Sequence, residues 1–91
     1  MQLRHYQEAL RDYTESLRLE PDNLDIIYNI GVANDSLGNI EAARSFYSMV
    51  LEKEPVHLAA LKARARCNFR LNDERQYSED SKKVKELEPD S

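Results

Sequence analysis

Residues 20–55 read EPDNLDIIYNIGVANDSLGNIEAARSFYSMVLEKEP, and the Glu-Pro pair at each end of this stretch recurs once more at Glu88-Pro89. The three prolines of the chain, Pro21, Pro55 and Pro89, therefore stand 34 and 34 residues apart, each behind a glutamate. Proline has no N–H to donate and biases the preceding residue away from helical geometry, so three helices are expected to end just before these positions. A single period shared by every proline points to a repeated structural unit.

Between Pro21 and Pro55 the apolar residues fall into two helical stripes. The first runs from about Leu24 to Leu37, with Ile27, Ile30, Gly31 and Leu37 on one face; the second runs from about Ile40 to Lys53, with Ala43, Tyr47 and Val50 on its face. Asp22 or Asn23 is expected to cap the first and Asn39 the second, with Gly38 supplying the left-handed residue between them. So short a connection makes the two helices antiparallel neighbours. Further helices are expected over Leu3–Leu19, Leu58–Leu71 and Asp73–Leu87, with Asn72 standing in for the turn glycine. The last has only a thin stripe of Tyr77, Val84 and Leu87, which suits either a solvent-facing end cap or a frayed helix.

The segment carrying Ile27, Ile30-Gly31, Asn34, Ala43, Tyr47, Val50 and Pro55 resembles the tetratricopeptide repeat, with Asn34 in place of the usual Tyr and a wetter seam expected there. Residues 22–57 are the well-matched repeat. Residues 1–21 hold only the second helix of a preceding one, whose first helix would lie upstream of Met1. Residues 58–91 form a degenerate third, with Arg64 for Leu, Tyr77 for Ala and Ser81 for an aromatic. The resemblance implies an all-α, right-handed superhelical stack of about five helices and a non-catalytic scaffold that holds a partner's peptide on its concave face.

Chemistry of other kinds finds little footing. Two glycines cannot make a phosphate loop, and the lone Cys67 and the histidines His5 and His57 lack metal-ligand spacing, so no catalytic, cofactor or metal residues are expected. Cys67, despite Arg64 and Arg66 nearby, reads as a packing residue rather than a reactive thiol, and His57 as a partly solvated turn residue. The single cysteine, with neither signal peptide nor apolar span, points to an intracellular, cytoplasmic chain away from membranes.

Charge suggests the ligand. The net charge is −4, but within 58–72 there are four basic residues and no acid. On the first stretch one face carries Asp25, Tyr28, Asn29, Val32, Asp35 and Ser36; the equivalent face of Leu58–Leu71 carries Lys62, Arg66, Phe69 and Arg70. The expected peptide site is Tyr28, Asn29, Val32, Lys62, Arg66, Phe69 and Arg70, with an acidic peptide or carboxylate against the cations. Three other readings stay open. The chain is a slice of a longer solenoid, or a homodimer through the apolar edge of its first helix. Alternatively it clamps acidic chaperone tails: Asn29 matches the family's clamp, but Ala59 and Ala63 stand where its cations belong. Nucleic-acid binding through Lys62-Ala63-Arg64-Ala65-Arg66 is disfavoured by the acidic whole.

Overall fold

The computed structural model describes residues 3–89. They form five α-helices: α1 Leu3–Leu19, α2 Leu24–Ser36, α3 Ile40–Lys53, α4 Leu58–Arg70 and α5 Glu74–Leu87. Each helix packs on its neighbours in the chain, giving a stack of 36 × 25 × 21 Å. The 34-residue period holds in three dimensions: α4 begins and ends 34 residues after α2, and α5 does so after α3.

The same period fixes the turns. After α2 the N–H groups of Leu37, Gly38 and Asn39 donate to the carbonyls of Ala33, Asp35 and Asn34; after α4 those of Leu71, Asn72 and Asp73 donate to Cys67, Phe69 and Asn68. Gly38 has φ 86°, and Asn72 takes the same left-handed region at φ 60°, a conformation in which the short amide side chain is tolerated. Asn23 caps α2, and Asp73 caps α5, by accepting from Ile26 N–H and Gln76 N–H, both at 3.2 Å. Asn39 occupies the expected cap position of α3 but makes no capping bond. Its side-chain amide instead donates to Asn34 Oδ1 at 3.2 Å, while the Asn34 amide donates to the Ile30 carbonyl at 3.0 Å. The seam beside Asn34 is therefore buried and closed by hydrogen bonds, not wetter as the missing Tyr suggested.

Two apolar clusters hold the stack. Ile27, Val50, Leu51, Ala60 and Leu61 form one; Ala43, Tyr47, Ala63 and Cys67 form the other, with Tyr28 packed against both. At the centre the Tyr47 ring lies across Gly31, and a Cβ added there would come within 2.7 Å of Tyr47 Cε1.

α5 is held differently from the apolar stripe expected of it. Its one buried residue is Asp80, while Tyr77 and Leu87 stay exposed. Arg64 Nε and Nη2 donate to the two oxygens of Asp80 at 2.8 and 2.7 Å, and Asn68 Nδ2 donates to Asp80 Oδ2 at 2.9 Å. Arg64 also reaches Ser48 Oγ at 3.2 Å; Arg44 donates to Asn68 Oδ1 at 3.0 Å and to Asp73 Oδ2 at 3.1 Å. The network joins α3, α4 and α5, and no buried side-chain N or O among the described residues lacks a partner. One period earlier the positions of Arg64 and Asp80 hold Ile30 and Phe46, so an ionic pair has replaced an apolar one. The final helix is anchored by this fork in place of apolar depth.

Two outcomes follow for stability. Gly31→Ala gains roughly 1 kcal/mol of helix propensity but overpacks the seam at a cost of roughly 1–3 kcal/mol. Because the Tyr47 ring is buried and cannot swing away, a lower urea midpoint is expected. Asp80→Ala leaves the Arg64 guanidinium uncompensated and is expected to cost about 3 kcal/mol in urea unfolding. The double change Arg64→Ile/Asp80→Phe should recover much of that loss.

Candidate functional site

α2 and α4, the first helices of the two hairpins, run side by side in the same direction and are tied at both ends. At their starts the Tyr28 ring lies 5.5 Å from that of His57, whose Nδ1 accepts from Ala60 N–H at 3.1 Å and so caps α4. At their ends Arg70 Nη1 donates to Asp35 Oδ1 at 3.0 Å. The Tyr47 hydroxyl donates to the other oxygen of Asp35 at 3.4 Å, and its ring centroid is 5.6 Å from that of Tyr28. Asp35 thus links the hairpin seam to the α2–α4 face, a role the sequence showed only as one more carboxylate on a polar helix surface.

The groups behind this face are chemically quiet. Burial, followed by the charge of Asp35, pushes the Tyr47 phenol well above its ordinary range. Burial, again followed by Asp35, pushes the Cys67 thiol up to about 11 against the opposing pull of Arg66, Arg70 and Arg44. Cys67 is wholly buried in the cluster with Tyr47 and serves as a packing residue. Among the described residues no group of three or more His, Cys, Asp or Glu is placed to hold a metal ion, and no helix is long and apolar enough to cross a membrane.

The seven expected site residues fall in three adjoining places. Tyr28 is half-buried, and its ring belongs to the core as much as to the surface. Asn29 and Val32 line a groove between α1 and α2, opposite Tyr6, Ala9 and Tyr13. Lys62 and Arg66 line another groove, between α4 and α5, where Lys62 Nζ pairs with Glu88 at 2.7 Å. Phe69 is 67% exposed, with its ring 5.5 Å from that of Tyr77 on α5. Arg70 remains more than half exposed while it holds Asp35. His57 was missed as a site neighbour; its place one residue ahead of an apolar helix start was the available sign.

A family model described as "Tetratricopeptide repeat" matches residues 1–67, and the chain belongs to that family. Among solved structures it is similar to the first such domain of Spaghetti (RPAP3) bound to the HSP90 peptide SRMEEVD, at a TM-score of 0.84 and 26% identity over 94% of this chain and 70% of that one. It is also similar to a tetratricopeptide repeat protein from Parabacteroides merdae, at a TM-score of 0.89 and 30% identity over 96% of this chain and 34% of that one. Curated relatives include the photosystem I assembly protein Ycf3 of Sorghum bicolor, 43% identical over 54 residues, which cover 56% of this chain and 31% of the relative. The same protein of Rippkaea orientalis is 41% identical over 59 residues, 62% of this chain and 34% of the relative. The matched segment thus spans about a third of those relatives' length. The fold is that of a protein-binding scaffold.

The thiol and phenol shifts set a pH dependence. The fold favours the neutral forms, and unfolding returns the Cys67 thiol to its ordinary value of 9.0. The stability this contributes is complete below about pH 9 and is lost as the pH rises through about 11. Urea midpoints are expected to fall between about pH 8 and about pH 10, and less so in Cys67→Ala. Native Cys67 should also resist alkylation until the chain is unfolded.

Proposed function

We propose that the chain holds an extended peptide segment of a partner protein along the α2–α4 face, with acidic side chains of that segment against Arg66 and Arg70. The observation that carries this reading is the exposed Arg66, for which no carboxylate stands at ion-pair distance among the described residues, on a helix whose own stretch has no acid. Beside it the exposed side of Arg70 still presents donors, and a guanidinium offers a carboxylate two parallel N–H bonds. Val32 and Phe69 supply exposed apolar contact, and Asn29 an exposed amide, so the surface combines groups suited to binding a peptide.

The acidic peptide held by the Spaghetti (RPAP3) domain supports a ligand of this charge. A chaperone-tail clamp in the family's own register has less support. Asn29 fits it, but Ala63 stands at one of its cation positions and is wholly buried against Ala43 and Tyr47, so that position faces the core. The assembly role in the name of the Ycf3 relatives is compatible with a scaffold that holds one component's segment while a complex is built. A second reading, self-association through the α1 edge, is favoured by the groove that α1 and α2 leave between Tyr6, Ala9, Tyr13 and Val32.

Calorimetric titration with a Glu-rich, proline-containing peptide tests the first reading. Arg66→Glu should weaken binding by about tenfold or more, and Val32→Asp should also weaken it, with the circular dichroism of both variants unchanged. Unaltered affinity in both would remove this site. Sedimentation at two protein concentrations tests the second: a monomer at both would end it.

A further inference from the structure

The charges of the α2–α4 face are sorted along its length. Because the two helices run in the same direction, the face has a start and an end. At the end stand Arg66 and Arg70, both exposed. The one carboxylate of α2 there, Asp35, is already engaged by Arg70 Nη1 at 3.0 Å and by the Tyr47 hydroxyl at 3.4 Å. At the start Asp25 is exposed on the first turn of α2, and the turns leading into α2 and α4 add the exposed Asp22 and Glu54. Lys62, the cation between the two ends, is neutralised by Glu88 at 2.7 Å. Among the described residues no cation is paired with Asp22, Asp25 or Glu54, and no carboxylate with Arg66.

The repeat itself demands neither charge. One period after Asp25, α4 begins with the exposed Ala59, and one period before Arg66, α2 has Val32. The helix dipole favours a carboxylate in a first turn, but α2 is already capped by Asn23, which accepts from Ile26 N–H at 3.2 Å. Asp25 and Arg66 are thus two exposed, opposite charges at known levels of one face. By the 34-residue period Asp25 is level with Ala59, so Arg66 lies two helical turns further along, about 10 Å. The sideways step from α2 to α4 adds to that distance. An extended chain advances about 3.3 Å per residue, so groups meeting both charges stand at least about three residues apart. Between the two levels lie the half-buried Tyr28 and the exposed Asn29, and Val32 stands exposed beside Arg66.

We infer that the segment held on this face is dipolar and lies in one direction, with a Lys or Arg over Asp25 at the helix starts and an Asp or Glu against Arg66 towards the helix ends. An apolar side chain between the two charges meets Tyr28 and Val32. The inference rests on the peptide-binding reading above and adds to it Asp25, the cation of the partner and the direction in which the partner lies. Complementarity supplies the selection: a wholly acidic segment sets like charge against Asp25, and a wholly basic one sets it against Arg66.

The probe is an end-capped peptide with Lys at position i, Leu at i+2 and Glu at i+4 and i+5, labelled for fluorescence anisotropy; a second peptide has Glu in place of the Lys. The wild-type chain is expected to bind the first about fivefold more tightly than the second. Asp25→Lys should reverse that order, and Asp25→Asn should bring the two peptides close to equal affinity. Asp25 is exposed and Asn23 supplies the cap, so both variants are expected to keep the circular dichroism of the wild type. Arg66→Glu should weaken both peptides. The two readings fail separately: if Arg66→Glu weakens both peptides but the Asp25 variants leave their order unchanged, the dipolar inference alone is overturned. If neither peptide binds, or Arg66→Glu changes nothing, the peptide-binding reading falls and takes the inference with it. A concentration-dependent dimer that Asp25→Lys converts to monomer would also overturn the inference, since the occupant would then be a second copy pairing Asp25 with Arg66.

Discussion

Tyr47 fills the space that a side chain at residue 31 would need, and most of the molecule is arranged around that one contact. Gly31 lets α2 and α3 approach until the ring sits across the backbone, 1% exposed. The other side of the ring is where α4 packs through Ala63 and Cys67, small residues that bring a third helix to the same centre. The hydroxyl reaches Asp35, which in turn holds Arg70 at the far end of α4. A single buried aromatic therefore sets the hairpin angle, seats the next hairpin and orients a surface cation. Interiors packed as densely as organic crystals transmit such a placement with little slack.

The second hairpin reaches the same backbone by other means. Where α2 and α3 bring Ile30 and Phe46, α4 and α5 bring Arg64 and Asp80 in a two-bond fork, backed by Asn68, Ser48 and Arg44. Buried ionic pairs contribute less net stability than apolar packing of equal volume, but they are exacting about geometry, since misalignment strands a charge. The last helix is consequently thin in apolar contact yet fixed in register. Its outer face is left cationic and partly hollow, with Ser81 where the preceding hairpin has Tyr47.

Among the described residues, grooves lie between α1 and α2 and between α4 and α5, and α2 and α4 share an exposed face. The thiol and phenol closest to that face are held in their neutral forms by burial, while Arg66, Phe69 and Arg70 are exposed.

The helices and their order were determined by the sequence alone, because one proline period, alternating caps and a 3.6-residue apolar stripe are local properties. Gly38 and Asn72 announced their turns for the same reason. The fates of individual polar residues depended on the tertiary structure. Asn39 was read as a cap and instead serves Asn34; Arg64 was read as a departure from the repeat and proves to be half of a buried pair. Its simultaneous change with Asp80, one period after Ile30 and Phe46, stands in the sequence, but only the packing of α5 on α4 shows the two side chains meeting. The seven expected site residues were legible as one helix-face pattern, yet the stack distributes them over two grooves and a shared face. Helical periodicity says which side of a helix a residue takes, whereas the neighbour that side meets is set by how the helices pack across the chain.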